Sequence, residues 1–202
     1  MRRLPIIAVF GSGSPIGPAR IALARAAGVM VARLGAHLLT GAGYGVMAAA
    51  AEAFVAVEGR RGLSIGVVPR DPAGALDQPK RADDGTPYPN PFVEIPIYTG
   101  LPARAEDWLS PSRNHVNVLS SDAIVALPGA AGTNNELALA GLYCGDAARP
   151  PELRKTLLLG PAEEFPRDMR ALFVHAATPA EAERHVARVL AARGFALLEG
   201  SR

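Results

Sequence analysis

Three times in this chain a compact apolar run passes directly into a cluster of glycines and then into a helix-forming segment. Residues 5–10 lead into Gly11-Ser12-Gly13-Ser14-Pro15-Ile16-Gly17. Residues 37–40 lead into Gly41-Ala42-Gly43-Tyr44-Gly45, and residues 122–127 into Pro128-Gly129-Ala130-Ala131-Gly132-Thr133. Similar runs occur at 63–68, 92–96 and 156–159. Each carries Val, Ile or Leu between Gly, Pro or Asp, the pattern of strands buried on both faces of a parallel sheet. Helical segments are expected near 17–34, 45–58, 110–121, 133–147, 164–176 and 179–193. Ser14-Pro15 reads as the start of the first helix, and Gly35 and Gly59 as stops of the first and second. Strand–helix alternation predicts a Rossmann-like α/β fold, doubly wound, with a mostly parallel sheet and helices on both faces.

The 202 residues suit a single nucleotide-binding domain spanning 1–202, and no internal repeat or second core is visible. One stretch breaks the rhythm. The irregular loop 70–92 holds Pro72, Pro79, Pro87, Pro89 and Pro91 with Asp83-Asp84-Gly85. Loops that long inside a domain are commonly functional, so both a lid over the site and a passive surface insertion fit. Apolar residues make up 49% but aromatics only 5%, which excludes a disordered chain. Net charge is +2 with 19 acidic residues dispersed among 21 basic ones, so no basic run argues for nucleic acid. Residues 34–51 lack charge but are interrupted by four glycines, against the roughly 20 continuous apolar residues of a membrane span. A single Cys144 and four scattered His give neither a disulfide nor metal-ligand spacing. The expected compartment is the cytoplasm, with no membrane or nucleic-acid partner.

In a parallel sheet the carboxyl ends of the strands share one edge, where ligands bind. Three glycine turns there, each opening a helix, would aim backbone N–H groups and helix dipoles at an anion. A small phosphorylated ligand is the expected partner, with Gly11, Ser12, Gly13, Gly41, Gly43, Gly45, Gly129, Gly132 and Thr133 as candidate contacts. A nicotinamide dehydrogenase is disfavoured. The first turn reads G-x-G-x-x-x-G, and Thr40-Gly41 stands where the ribose-binding acid belongs. No G-K-[ST] loop occurs either. Arg113 on a predicted helix could offer a bidentate guanidinium, and Glu136 is placed in the first turn of the helix after the third glycine turn. Thr133-x-x-Glu136 also fits a capping box, which would make Glu136 structural. Trp108 is a candidate to flank a base or to pack in the core. Arg104, Glu106 and Asp107 read as a solvated run, and His115 as a polar surface or core residue.

Pro128-Gly129-Ala130-Ala131-Gly132-Thr133-Asn134-Asn135-Glu136 resembles the P-G-G-x-G-T-x-x-E motif of the Lonely Guy (LOG) family. Arg113 precedes Asp122 by nine residues, as in that family. Gly41-Ala42-Gly43-Tyr44-Gly45-Val46-Met47 is similar to its glycine turn followed by Gly-Leu-Met. Gly62-Leu63-Ser64-Ile65-Gly66-Val67-Val68-Pro69 is similar to its V-I-G-V-I-P strand. The same Rossmann-like superfamily includes the molybdenum-cofactor carrier proteins, and Ser112-Arg113-Asn114 is closer to the Arg-Asn of those relatives. Three positions depart from the LOG pattern. Ala130 replaces a glycine and would strain a turn needing positive φ, Asn114 stands in place of Lys, and Asn135 in place of an acid.

The resemblance implies a hydrolase that cleaves the N-glycosidic bond of a nucleoside 5′-monophosphate to free base and ribose 5-phosphate. Gly129, Gly132 and Thr133 would hold the phosphate, with Pro128, Met47 and Asn114 joining the binding set. Glu136 would position water or stabilise positive charge developing on the ribose, and Arg113 would orient the reacting end. This chemistry needs no metal and no redox cofactor. The alternative implied is a non-catalytic nucleotide or molybdenum-cofactor (pterin-type) binding or carrier protein. The family resemblance also implies a homodimer, for which the Ala-rich helices offer close-packing faces.

Overall fold

The computed structural model describes residues 3–14, 16–72, 78–82, 84–104 and 110–196. Seven parallel strands form one sheet: β1 (Ile6–Phe10), β2 (His37–Thr40), β3 (Ser64–Val68), β4 (Ile95–Tyr98), β5 (Ala123–Ala126), β6 (Thr156–Leu159) and β7 (Val174–Ala176). Their order is β4-β3-β2-β1-β5-β6-β7. Six helices connect or flank them: α1 (Pro18–Arg33), α2 (Val46–Val55), α3 (Arg113–Ser120), α4 (Ala131–Tyr143), α5 (Arg167–Leu172) and α6 (Pro179–Ala192). None of the described helices is long and apolar enough to cross a membrane.

Period-2 alternation in the strands builds both sides of the core. Ile7, Val9, Leu38, Val125, Leu157 and Leu159 face α1, α2 and α6. Ala8, Phe10, Leu39, Ile124 and Leu158 face α3 and α4. β1 lies at the centre with β2 and β5 on either side, registered Ile7 with Leu38 and Ile7 with Ala123. The chain builds outward from β1 to β4, then returns through α3 to the centre and builds the other half. The reversal falls between β1 and β5, where open α/β sheets bind ligands.

Local sequence explains the element limits. α1 opens at Pro18 with Gly17 as its N-cap, later than the Ser14-Pro15 signal, and Pro15 lies outside the described residues. It ends before Gly35, whose φ of 69° suits a helix stop. Small residues let α1 and α2 approach closely: a Cβ on Gly28 would overlap the Ala50 carbonyl. The alanines expected to serve a dimer face, including Ala24, Ala27, Ala50 and Ala51, are buried within the protomer. α6 starts with Thr178 and Glu181 in a reciprocal capping box and Pro179 at the first helical position.

Three expectations are corrected. The strand placed at 92–96 lies at Ile95–Tyr98 and is exposed along its whole length. It is the sheet edge, and among the described residues the β3–β4 connection contributes no helix to cover it. The segment 164–176, expected as one helix, is a 3-10 turn at Ala162–Glu164, the short helix α5 and a seventh strand, β7. That strand spans three residues with His175 in the middle, too short to show a period. The helix placed at 133–147 begins two residues earlier, at Ala131, and yields to a 3-10 turn at Asp146–Ala148.

Candidate functional site

The three glycine turns meet at the carboxyl edge and interlock. The Val46 N–H at the start of α2 donates to the Ser12 carbonyl at 2.9 Å, tying the second turn to the first. Gly45 has φ 59°, and a Cβ there would overlap the Ser12 carbonyl. A Cβ on Gly129 would overlap the Thr133 hydroxyl and come within 3.1 Å of the Ser12 amide, so the third turn also packs on the first. Positive φ at a non-glycine residue occurs at Ala42, with φ 62°. Its carbonyl accepts from the Asn90 amide at 2.8 Å, and the Asn90 side chain donates to the Gly43 carbonyl at 2.7 Å. The strain expected at Ala130 is absent, because that residue is extended with φ −101°.

A cavity of about 360 Å³ lies among these turns. Of the residues singled out in the sequence, Gly11, Ser12, Gly13, Met47, Arg113, Asn114, Gly132, Thr133 and Glu136 line it. Gly41, Gly43, Gly45 and Gly129 stand behind the wall and shape it, whereas Pro128 does not line it. Gly41 leaves the slot that the Arg113 guanidinium occupies, since a Cβ there would overlap Nη1. Gly43 makes room for the Tyr88 hydroxyl and the Met47 methyl. Pro128 packs beside Gly160.

Arg113 and Glu136 are both nearly buried, at 7% and 6% exposure. Burial pushes the Glu136 carboxyl up from its usual range, opposed by the Arg113 charge and a hydrogen bond from Asn117. Burial lowers the Arg113 guanidinium, opposed by Glu136 and Tyr88. The ion pairs among the described residues do not include Arg113 with Glu136. Instead the Glu136 carboxylate accepts from Asn117 Nδ2 at 2.9 Å. Arg113 Nε and the Thr133 hydroxyl are buried without a protein partner. Buried polar groups are rarely left so, and both belong to residues on the cavity wall.

The capping-box reading of Glu136 is overturned. α4 takes Ala130 as its N-cap, so Thr133 is the third helical residue and Glu136 the sixth, in the second turn rather than the first. Asn114 and Asn135, two of the departures from the LOG pattern, bond to each other through Asn114 Nδ2 and Asn135 Oδ1 at 2.8 Å. His115 caps its own helix: its Nδ1 accepts from the Ser112 N–H at 3.2 Å. Its ring also packs against Tyr143 at 5.8 Å.

Several residues that build the site were not singled out, among them Asn117, which holds Glu136 from behind the wall. Asn117 sits one turn beyond Arg113 on the same face of α3, a spacing that i, i+4 reasoning can find. Lys80, Ala82 and Tyr88 come from the loop 70–92, where no periodic signal exists. The described part of that loop is a wall of the site, held to the second turn by Asn90 and by the Tyr44 hydroxyl, which donates to the Pro87 carbonyl at 3.1 Å. Arg104, expected in a solvated run, also lines the cavity, while Glu106, Asp107 and Trp108 lie outside the described residues.

A parallel sheet reversing between β1 and β5, with glycine turns and an Arg–Glu couple at its carboxyl edge, defines a Rossmann-like protein of the Lonely Guy type. The chain belongs to the SLOG cluster4 family, which matches residues 4–144. It is similar to the molybdenum cofactor carrier protein of Chlamydomonas reinhardtii, at 30% identity and a TM-score of 0.66, over 94% of this chain and 99% of that one. The molybdenum cofactor binding protein of the phototrophic bacterium Rippkaea orientalis is 29% identical with a TM-score of 0.62, over 90% and 94% of the two chains. The structural-genomics target TM1055 shares the fold, at 18% identity and a TM-score of 0.59, over 89% and 96%. A search of the curated proteins finds no match.

Proposed function

We propose that this protein binds and holds a phosphate-bearing pterin ligand of the molybdenum-cofactor class, without turning it over. The observation that carries the reading is the state of Arg113. Its guanidinium is seated in the Gly41 slot, buried, and not consumed by an ion pair with Glu136. With the Thr133 hydroxyl and the N-terminus of α4 beside it, it suits a phosphate. Similarity to a molybdenum cofactor carrier over 94% of the chain supports the pterin. The neutral Asn114–Asn135 pair, where the LOG pattern has Lys and an acid, supports holding over hydrolysis.

A second reading, the nucleoside 5′-monophosphate hydrolase, rests on Arg113 and Glu136 facing one cavity. In that reaction Glu136 would stabilise the positive charge emerging on the ribose. Burial works against it by favouring the uncharged carboxyl. Thermal melts with GMP and with purified molybdenum cofactor, alongside assays for released base, separate the two. Stabilisation without base release supports holding. Base release that Glu136→Gln abolishes supports hydrolysis. No stabilisation and no release would sink both.

The protein is proposed to work in the cytoplasm as a homodimer. Leu119, Leu142 and Tyr143 on α3 and α4 are its exposed apolar candidates for the contact. Sedimentation of wild type against Leu142→Arg tests this: a dimer that becomes a monomer supports it, and a monomeric wild type overturns it.

A further inference from the structure

Opposite charges buried in one pocket wall are expected to close into an ion pair, because little water screens their attraction. Arg113 and Glu136 line the same cavity, yet they are not among the ion pairs of the described residues. Each is anchored from its own side. The Arg113 guanidinium fills the slot beside Gly41, and the Arg113 N–H donates to the Pro102 carbonyl at 2.9 Å. On the other side, Glu136 Oε1 accepts from Asn117 Nδ2 at 2.9 Å.

Asn117 is fully buried and stands one turn beyond Arg113 on α3, about 6 Å along the axis. Its backbone carbonyl accepts from the Ser121 hydroxyl at 2.6 Å, which ties down the turn that carries the amide. One helix therefore carries both the cation and the group that grips the opposing carboxylate, and the helical rise sets their separation. Among the described residues Asn117 Oδ1 has no hydrogen-bond partner. A buried amide that leaves its own oxygen unsatisfied is costly, which points to a use for its Nδ2 end.

We propose that Asn117 is a positioning residue that holds the Glu136 carboxylate off the Arg113 guanidinium and so keeps that cation available to an anionic ligand. Without the amide, Glu136 closes on Arg113 and takes the ligand's place. The inference rests on the phosphate-binding reading given above and assigns it a further residue.

Asn117→Leu, close to Asn in size, removes the donor without opening a large cavity. Ribose 5-phosphate is the probe, because it carries the phosphate and has no base to release. Calorimetry is run on wild type, Asn117→Leu, Glu136→Gln and the double variant, with melts to confirm folding. Asn117→Leu should weaken binding about tenfold or more on its own, but less than about twofold on top of Glu136→Gln, where no carboxylate remains to pair with Arg113. Carbon-13 NMR titration of the Glu136 carboxyl gives a second readout that needs no ligand. Loss of the Asn117 bond alone raises the midpoint, since that bond favours the charged form, whereas closure onto Arg113 lowers it. The expected midpoint is lower in Asn117→Leu than in wild type. No loss of affinity, an equal loss in both backgrounds, or a midpoint that does not fall overturns the positioning role. If Asn117→Leu does not fold, Asn117→Ser goes through the same cycle and titration. If ribose 5-phosphate does not bind wild type, the phosphate-site reading fails, and the direction of the midpoint alone decides whether Asn117 holds the two charges apart.

Discussion

At the scale of single residues, the site depends on what glycine leaves out. Gly41 is needed because the Arg113 guanidinium lies where its Cβ would stand. Gly41→Ala should displace that guanidinium, weaken GMP binding at least tenfold and cost about 1–3 kcal/mol of stability through overpacking. Calorimetry and a denaturant melt would check both. Glu136 supplies a signed pH dependence. Its folded carboxyl is raised above its ordinary value of 4.5, so stability held at low pH is lost as pH rises through the raised value. Glu136→Gln should therefore gain stability relative to wild type as pH climbs from about 4.5 toward neutrality, by at most about 1.4 kcal/mol per pH unit. A pH-independent difference would contradict this. The motif spacing made Arg113 and Glu136 legible in the sequence. It misread their setting, because a helix start displaced by two residues changes Thr133 from a cap into a wall residue with a free hydroxyl. Asn117 was within reach of helical spacing, whereas Tyr88 becomes adjacent only through an aperiodic loop.

Among elements, the first strand and the last helix are held by one carboxylate. Asp122, just before β5, accepts from Arg3 at 2.5 and 2.8 Å, from the Ile6 N–H at 2.9 Å and from Arg193 at 3.2 Å. It therefore joins the entry to β1, the entry to β5 and the C-terminal cap of α6. Asp122→Asn should cost about 1–3 kcal/mol, because the buried carboxylate that joins Arg3, Ile6 and Arg193 loses its charge and one accepting oxygen. Burial raises the Asp122 carboxyl, but the Arg3 and Ile6 bonds outweigh it and hold the group below its ordinary value of 3.8. Its stabilisation is present above that value and lost as pH falls through the depressed one, so the variant and wild type should converge in acid. Melts at pH 7 and near pH 2 measure this. Strands ending in glycine turns were legible from apolar runs alone. The bounds of β4 and the presence of β7 were not, since one is a bare edge and the other is shorter than two periods.

For the whole molecule, three interlocked turns fix the shape of the site through contacts within the fold, so a ligand should stabilise the fold as a unit. At 100 times Kd, mass action adds about 2.7 kcal/mol, which for a chain of this size is a rise in Tm of about 5–10 °C. A melt that stays unchanged with every phosphate probe would contradict this. The fold class was legible because buried parallel strands leave continuous apolar runs. The wall built by the loop 70–92 was not, because its place is fixed by contacts such as Asn90 with Gly43 rather than by a pattern along the chain. That connection has a second consequence. Its described residues line the site and form no crossover helix, and Ile95, Ile97 and Tyr98 stand bare on the outermost strand. An insertion or deletion there would be felt twice, in what the cavity can hold and in how the protein behaves when crowded with its own copies.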